Sequence, residues 1–550
     1  MLAENNNRNN RKIIQVMQMI KETELPTNNY GFTPEIEADM HAKKIDLQLT
    51  RKLLNRYNEG KFDNIKPVQV TDIPSIDGET VIDLTNEFEF TIDRHTAQQN
   101  IDQLGLAIDL TTIGTVSGTK LHFSKNDLKD LGIKLYPTLS YGILNGGSAS
   151  SYFDTKKNQS LNETLFNICR TEFNTLANIA RDLPKGLAPA FINKDGSPGP
   201  SFIELKMRSL LIETLRYQKT VDSNSDVLAP LFQMTSVYNN EQIEAAYQEY
   251  SSSKYLADLI NETKVNITDA LTGIQPMLAA FSHSKYGRPK TIFTNAYGKE
   301  NNVLPMPGGH GQNFEILRNV YQQLLNCGKR FAYLGNVDNL GYTVDPVSLA
   351  LLALQNKAAG FEFSFRTAVD IKGGILIKDQ QHRLNCADIG PAISAAEVLK
   401  AEATGKKILF NCATGLFNLK FLVEKIDYII DNLPVRFSDQ DKDAGLYSQA
   451  EQVTWEIIGM LDNLLIFGVD KYDRFLAAKL VLENLMASGV NLQHPDYPSA
   501  TDPDKDLKSI AHKLHHGLQQ KLKTVYGLKE VNQQWVPKTV PELIAGFQQE

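Results

Sequence analysis

Glycines follow an apolar stretch at one point of the sequence in a way that suits phosphate or base binding. The segment YGILNGGSAS runs from apolar residues into Asn145, Gly146 and Gly147, which small hydroxyl residues follow. Glycines let a backbone approach a phosphate or a flat base without an intervening side chain. The segment is neither a Walker A loop nor a GxGxxG fingerprint, so a plain tight turn after a strand is the alternative interpretation.

Three lysines lie in settings that suit an anionic ligand. Lys185 lies between prolines in DLPKGLAPAF, just before a Gly/Pro-rich loop. A lysine held rigidly near such a loop suits a triphosphate, whose charge needs a compact cation. Lys372 precedes a Gly-Gly pair in FSFRTAVDIKGGILI, and Lys479 lies in the apolar, helix-like context of DRFLAAKLVLENL. Lysines that simply extend to water are the alternative.

Two further loops carry polar side chains that could face a ligand. LPMPGGHGQN holds His310 after Gly309, so that the backbone could lie against a ligand while the imidazole points at it. RFAYLGNVDNLG ends an apolar stretch with Asn336, Asp338 and Asn339, where the Asp338 carboxylate is placed to hold Mg²⁺. An incidental histidine and a turn-capping aspartate are the respective alternatives.

Short apolar strands followed by turns and helical stretches must position these residues. From about residue 141 the pattern predicts an α/β domain with a mostly parallel sheet, in which ligands collect at the carboxyl ends of the strands. We expect an N-terminal α+β extension over 1–130, the α/β domain over 131–448 and a helical C-terminal region over 449–550. A helix is predicted near 46–57 from its leucine spacing. The predicted strand segments are YGILNGG, VLAPLFQMTS, KTIFTN, RFAYLGNVDN, FEFSFRTAV, GILIKD and KILFNCATG.

Composition excludes several classes of protein. The 550 residues include 57 Lys and Arg against 64 Asp and Glu, a net charge of −7, so no global positive field would hold nucleic acid or an anionic membrane. No apolar run is long enough to span a bilayer, and the N-terminus lacks a secretory pattern. Four scattered cysteines without CxxC spacing predict a reducing, cytoplasmic location and favour core positions over a zinc site.

The order of these segments resembles the UDP-sugar pyrophosphorylase family, most closely its eukaryotic-type UTP–glucose-1-phosphate uridylyltransferases. LNGGSAS resembles the family's LNGG loop, PGGHGQ its PPGHGD loop, and GNVDNLGYTVD its NIDNLGATVD segment. DLPKGLAP, VDIKGGIL and FLAAKLVLENL are similar to the family's lysine-bearing segments, and FSHSKYGRPK falls where the family has FNQSRYPRI. The resemblance extends over roughly residues 141–485.

The resemblance implies a Mg²⁺-dependent transfer in which UTP and a sugar 1-phosphate give a UDP-sugar and pyrophosphate, on a GT-A type, Rossmann-like sheet. The alternatives to glucose 1-phosphate are an N-acetylhexosamine or galactose 1-phosphate, and the alternative to an enzyme is a catalytically weak UDP-sugar-binding protein. No general base is needed, since the attacking phosphate is already ionised. By the resemblance, Asp338 would bind Mg²⁺, Lys185, Lys372 and Lys479 would neutralise phosphate charge, and the substrate-binding residues would be Asn145, Gly146, Gly147, His283, Gly309, His310, Asn336 and Asn339.

The sequence also departs from the family pattern. His283 stands where the family has its uracil-reading Gln, and FNCATGLF lacks the family's sugar-binding Asn pair. The segment between Gly147 and Lys185 is longer than in the family, so Lys156 or Lys157 could take the nucleotide-loop lysine role instead. This segment could act as a closing lid or as a fixed surface helix packed by its apolar residues. Oligomeric state does not follow from the sequence.

Overall fold

The computed structural model describes residues 29–63, 65, 68–147, 152–221, 230–367, 370, 373–501 and 506–547. The chain forms two compact units. The smaller contains residues 1–63, 278–306 and 437–450, and the larger contains 64–277, 307–436 and 451–550.

Strands are numbered in chain order over the described residues. They are β1 (Val81–Asp83), β2 (Glu89–Asp93), β3 (Thr115–Ser117), β4 (Lys120–Ser124), β5 (Leu139–Leu144), β6 (Leu231–Ser236), β7 (Leu271–Gln275), β8 (Met277–Ala279), β9 (Phe281–Ser282), β10 (Pro305–Pro307), β11 (Phe331–Asn336), β12 (Ala359–Phe365), β13 (Gly374–Lys378), β14 (Leu384–Asp388), β15 (Leu409–Asn418), β16 (Arg436–Lys442), β17 (Gly445–Glu451), β18 (Leu464–Val469), β19 (Leu528–Val531) and β20 (Gln534–Pro537).

Helices are numbered in the same way. They are α1 (Pro34–Ala42), α2 (Leu47–Asn58), α3 (Arg94–Asp102), α4 (Lys125–Lys134), α5 (Thr155–Leu161), α6 (Glu163–Ile168), α7 (Arg170–Ala180), α8 (Phe202–Thr220), α9 (Asn240–Tyr250), α10 (Ala257–Thr263), α11 (Asn313–Ile316), α12 (Arg318–Asn326), α13 (Pro346–Gln355), α14 (Ala395–Ala403), α15 (Leu419–Asn432), α16 (Lys471–Arg474), α17 (Val481–Ala487), α18 (Leu507–Thr524) and α19 (Val540–Phe547). Short 3-10 turns cover Leu110–Thr112, Tyr136–Thr138, Lys185–Leu187, Ser284–Tyr286, Ala296–Gly298, His310–Gln312 and Thr454–Met460.

A ten-stranded sheet forms the centre of the larger unit. Its main path is β1-β18-β12-β15-β11-β5-β6-β7, and β13 and β14 extend from β15. All neighbours along the path pair in parallel except β15, which runs antiparallel to both β12 and β11. The sheet is therefore mostly parallel, as the sequence predicts. Both β1 and β18 belong to it, although they lie outside residues 131–448.

Both faces of the sheet are buried, as expected for parallel strands. Along β11, Phe331 and Tyr333 pack into one hydrophobic cluster, while Ala332 and Leu334 pack into another. This alternation is the two-residue period of a strand, with one cluster on each face. The burial keeps the strands rigid and leaves their carboxyl ends as the edge at which polar loops emerge.

The smaller unit holds α1 and α2 with a three-stranded sheet in the order β16-β17-β9. The helix predicted near 46–57 is confirmed as α2. The Asp46 side chain caps its first turn by accepting a hydrogen bond from the N–H of Leu49, at 2.8 Å. Leu53 and Leu54 form its buried face.

Three segments differ from the prediction. KTIFTN lies in the smaller unit and forms no strand of the central sheet, and its Ile292 makes only an isolated bridge to Phe281. LLIFGV, predicted as helix, is strand β18. The prediction was wrong because a fully buried parallel strand has no polar face, so its sequence does not show a two-residue period. Lys479 precedes α17 instead of lying within a helix. The remaining C-terminal elements are α16 to α19 and the β19–β20 hairpin.

The long segment between the glycine loop and Lys185 contains α5, α6 and α7. Of the five apolar residues that the fixed-helix interpretation packs inward, Leu165, Phe166, Phe173 and Leu176 are buried, whereas Leu161 is 40% exposed. No helix among the described residues is long and apolar enough to cross a bilayer.

Candidate functional site

The candidate site lies at the carboxyl ends of β5 and β11, which are parallel neighbours in the sheet. The glycine loop leaves β5 at Asn145, and Asn336 ends β11 opposite Leu144. The N–H of Lys185 donates to the carbonyl oxygen of Gly147 at 3.2 Å, which ties the LPKGLAP segment to the glycine loop. Loops from distant parts of the sequence therefore meet at one edge, as in other open α/β sheets.

Lys185 and Asp338 form an ion pair at this edge. The Nζ atom of Lys185 contacts Oδ2 of Asp338 and also donates to the carbonyl oxygen of Ala478 at 2.7 Å. The two side chains are only 15% and 14% exposed. Of the three candidate lysines, Lys185 is the one that contacts Asp338, the predicted metal carboxylate. Lys156 and Lys157 lie on α5 and are exposed.

A cavity of about 620 Å³ opens beside this pair. Four of the residues predicted from the sequence line it, namely His310, Asn336, Asp338 and Lys479. The glycines that follow the predicted Lys372 line it too, while Lys372 itself lies outside the described residues. The polar or aromatic lining residues that the sequence did not reveal are Cys386, Asp388, Phe410, Asn411, Arg436, Trp455, Glu456 and Phe475.

Gly309 needs to be glycine at its position. Its φ is +82°, in the left-handed region, and a Cβ there would overlap the carbonyl oxygen of Gln452 and lie 2.8 Å from its backbone nitrogen. The PGGHGQ loop therefore packs directly on the chain that follows β17. This contact fixes the place of the next residue, His310.

His310 presents a neutral imidazole to the cavity. Its Nδ1 accepts the backbone N–H of Thr454 at 3.1 Å, so the proton of the neutral ring is on Nε2. Burial lowers the pKa of His310 to about 4. Near neutral pH the ring is therefore uncharged and can donate one hydrogen bond through Nε2.

Gln275, at the end of β7, is hydrogen-bonded to the PGGHGQ loop, lies close to Gly146 and was missed from the sequence. Its Nε2 donates to the carbonyl oxygen of Gly309 at 2.8 Å, and its Oε1 lies 3.2 Å from where a Cβ on Gly146 would be. Asn145 is 1% exposed, and its Nδ2 donates to Gln233 at 3.1 Å. The signal that could have identified Gln275 as a site residue is its position at the end of a strand.

Six of the eight predicted substrate-binding residues are not among those that line the cavity, namely Asn145, Gly146, Gly147, His283, Gly309 and Asn339. Asn339 is buried; its Nδ2 donates to the carbonyl oxygen of Arg474, and its Oδ1 accepts from Gly341 and Leu476. Its amide thus holds the Asp338 loop in place. His283 belongs to the smaller unit, where its Nδ1 accepts the N–H of Lys285 at 3.1 Å.

Fold and site together define an α/β protein with a mostly parallel sheet and with cations and a carboxylate at the carboxyl ends of its strands. Residues 196–497, more than half of the chain, match the family described as UTP–glucose-1-phosphate uridylyltransferase. The chain belongs to this family, and the resemblance inferred from the motifs is confirmed.

Individual relatives are distant. UTP–glucose-1-phosphate uridylyltransferase 2 of Dictyostelium discoideum is 23% identical over 323 residues, covering 56% of this chain and 60% of the relative. The corresponding enzyme of Encephalitozoon cuniculi is 27% identical over 276 residues, covering 47% and 55%. The chain thus spans less than two thirds of each of these relatives.

A solved structure shares the fold. UDP-glucose phosphorylase from Trypanosoma brucei superposes with a TM-score of 0.52 at 16% identity, covering 86% of this chain and 80% of that one. This likeness is one of fold.

Proposed function

We propose that the protein is a uridylyltransferase that forms a UDP-sugar and pyrophosphate from UTP and a sugar 1-phosphate, with glucose 1-phosphate as the first candidate. The observation that carries the proposal is the Lys185–Asp338 pair, with Lys479 nearby, at the carboxyl ends of parallel strands in a chain of this family. The absent Asn pair of FNCATGLF favours testing N-acetylhexosamine and galactose 1-phosphates alongside glucose 1-phosphate.

The site suits nucleotidyl transfer because the reaction depends mainly on position and charge. A phosphate oxygen of the sugar 1-phosphate would attack the α-phosphorus of UTP in line, and pyrophosphate would leave. Lys185 and Lys479, together with Lys372, would neutralise the charge that spreads over the phosphate oxygens. The attacking phosphate is ionised at neutral pH, so no side chain has to remove a proton.

Asp338 fits the Mg²⁺ that nucleotidyl transfer generally uses. Its ion pair with Lys185 uses Oδ2, while Oδ1 accepts no hydrogen bond from the described residues. Enzymes that act on nucleotides usually hold Mg²⁺ by one or two carboxylates together with substrate phosphates. Among the described residues, no group of three or more His, Cys, Asp or Glu could hold a metal ion. When bound, the ion would add positive charge at the phosphates.

The base and ribose would lie against the glycine loops. We propose that backbone groups at Gly146, Gly147 and Gly309 contact the nucleotide, with Gln275 holding the Gly309 loop in place. The Nε2–H of His310 would face the sugar. We expect UTP to be preferred over CTP and ATP, since sites that hydrogen-bond a substrate reject mispaired analogues strongly.

We further propose a GT-A type, Rossmann-like catalytic domain centred on residues 131–448, with residues 449–550 contributing Lys479. The N-terminal region contributes β1 to the sheet that positions the site. A cytoplasmic location is supported by the four cysteines, all of which are free thiols.

A pyrophosphate-release assay over a panel of nucleoside triphosphates and sugar 1-phosphates tests the proposal. We expect release only when UTP, Mg²⁺ and a sugar 1-phosphate are all present. Asp338→Asn should lower turnover by about 100-fold or more while leaving the protein folded. Full turnover in this variant would refute the role of Asp338, and equal use of UTP, CTP and ATP would refute uracil recognition.

A further inference from the structure

The loop that carries Asp338 has three backbone carbonyl oxygens that accept hydrogen bonds from buried side chains. They belong to Asn339, Leu340 and Tyr342. A buried carbonyl group without a donor is costly, so a loop of this kind keeps its shape only where donors are supplied. Most of the donors here come from α8 and from the C-terminal region, which lie far from the loop in the sequence.

Lys206 on α8 supplies two of these hydrogen bonds. Its side chain has no exposed surface, and its amino group donates to the carbonyl oxygens of Asn339 and Tyr342. The Nζ atom also lies 5.0 Å from the centroid of the Tyr342 ring. The Tyr141 hydroxyl group adds a second donor to the carbonyl oxygen of Tyr342, at 2.7 Å. A lysine buried this deeply does not contact a ligand, so its effect on the site has to pass through the loop.

Tyr526 supplies a further hydrogen bond, from the segment between α18 and β19. Its hydroxyl group donates to the carbonyl oxygen of Leu340 at 2.7 Å, and its side chain has no exposed surface. Arg208, also on α8, holds the backbone of this segment by donating to the carbonyl oxygens of Tyr526 at 2.6 Å and Gly527 at 2.8 Å. The C-terminal region is therefore hydrogen-bonded both to α8 and to the loop that carries the predicted metal carboxylate.

We propose that Lys206 and Tyr526 are positioning residues that hold the Asp338 loop, so that residues 507–547 take part in the metal and phosphate end of the reaction. This inference rests on the proposed function, because it concerns the role which that function gives to Asp338. Lys185 holds the carboxylate itself, while Lys206 and Tyr526 hold the backbone that follows it. Changing the groups that orient a metal ligand typically lowers metal affinity by about 10- to 100-fold.

Binding of UTP, measured by titration calorimetry with Mg²⁺ and again with EDTA, tests the inference without requiring turnover. The ratio of the two dissociation constants reports how much Mg²⁺ adds to UTP binding. Because Mg²⁺ binds free UTP equally in every titration, differences in this ratio between variants report on the protein. In the wild-type protein Mg²⁺ should strengthen UTP binding by about tenfold or more, a usual size for coupling between two ligands, and Asp338→Asn should remove most of this gain.

Two variants remove the hydrogen bonds to the loop. Tyr526→Phe leaves the carbonyl oxygen of Leu340 without its donor. It should lower the ratio by about three- to tenfold, the usual value of one hydrogen bond, while UTP binding with EDTA changes by less than about twofold. Lys206→Met, which removes two hydrogen bonds, should lower the ratio by about tenfold or more. A general loss of folded protein does not give this pattern, because it lowers the number of binding sites equally in both titrations.

Tyr255→Phe is the matched control. The Tyr255 hydroxyl group is also buried and donates to a backbone carbonyl oxygen, that of Trp535 at 3.4 Å, which lies outside the Asp338 loop. The ratio in this variant should equal that of the wild type. Thermal unfolding of each variant establishes that it is folded at the temperature of the titrations.

The inference is overturned if the ratio in either folded variant equals that of the wild type, or if UTP binding weakens equally with Mg²⁺ and with EDTA. It is also overturned if Mg²⁺ has no effect on UTP binding by the wild-type protein. Should Lys206→Met not fold, Tyr526→Phe decides alone. A wild-type protein that shows the expected ratios but releases no pyrophosphate with any sugar 1-phosphate refutes the proposed function and leaves the positioning roles supported.

Discussion

The Lys185–Asp338 ion pair gives the sharpest quantitative test of the site. Both side chains are about 85% buried, and Lys185 also donates to Ala478. Lys185→Met leaves the Asp338 carboxylate without a cation in a partly buried place. Removing one partner of such a pair costs more than the pair contributes, and with some solvent access we expect a loss of about 2 kcal/mol in stability.

The other variants complete a double-mutant cycle. In Asp338→Asn the ammonium still has the amide oxygen and the Ala478 carbonyl oxygen as acceptors, so we expect a smaller loss of about 1 kcal/mol. The double variant leaves no unbalanced charge. It should be more stable than the sum of the single losses predicts, by about 1 to 2 kcal/mol of coupling.

Urea unfolding of the four proteins measures this coupling, and pyrophosphate release at saturating UTP and Mg²⁺ measures turnover. Each single change should lower turnover by about 10²- to 10³-fold, the usual cost of removing one charge-stabilising group. Lys194→Met is the control, because its pair with Glu530 is exposed, at 49% and 32%, and should contribute under about 1 kcal/mol.

Two results would refute this reasoning. A coupling energy near zero would mean that the two charges do not compensate each other in solution. Near wild-type turnover in Lys185→Met would transfer the phosphate-binding role to another lysine, with Lys156 and Lys157 as the next candidates.

Three further predictions concern the loops around the cavity. Burial lowers the pKa of His310 to about 4, from an unfolded value near 6.5, so the unfolded chain binds the extra proton between these two pH values. The free energy of unfolding should therefore fall by up to about 3 kcal/mol as pH drops from 6.5 towards 4. In His310→Gln the urea midpoint should depend less on pH across this range. Gly309→Ala should be destabilised more than Gly78→Ala in thermal unfolding, since both glycines have φ near +80° but only Gly309 would clash. Gln275→Leu, which frees the Gly309 carbonyl oxygen, should raise KM for UTP more than KM for the sugar 1-phosphate, whereas equal changes would place Gln275 outside nucleotide binding.

Local sequence patterns predicted the elements that have a clear period or a clear end. The helix α2 shows a leucine stripe and an Asp46 cap, and β5 and β11 are apolar stretches that stop at polar residues. These patterns also indicated the glycine loops and Asp338. Strand β18 was assigned to a helix because a short apolar run carries no period that separates a buried strand from a buried helix.

The pairing of side chains could not be predicted in this way. Lys185 and Asp338 are 153 positions apart, and what joins them is the parallel pairing of β5 with β11, which no local pattern specifies. Gln275 depends in the same way on the order of strands in the sheet.

Glu456 shows the same limit more sharply. In the sequence it lies within an apolar stretch that favours a helix, and nothing nearby suggests that its carboxylate faces a cavity. The structure places it on a 3-10 turn with Arg436 from the start of β16 as its partner. The LNGG and GNVDN motifs follow β5 and β11, while Glu456 and Arg436 line the cavity from segments without a motif. The lining of the cavity therefore depends on side chains that only the fold brings together, and no local motif in the sequence specifies them.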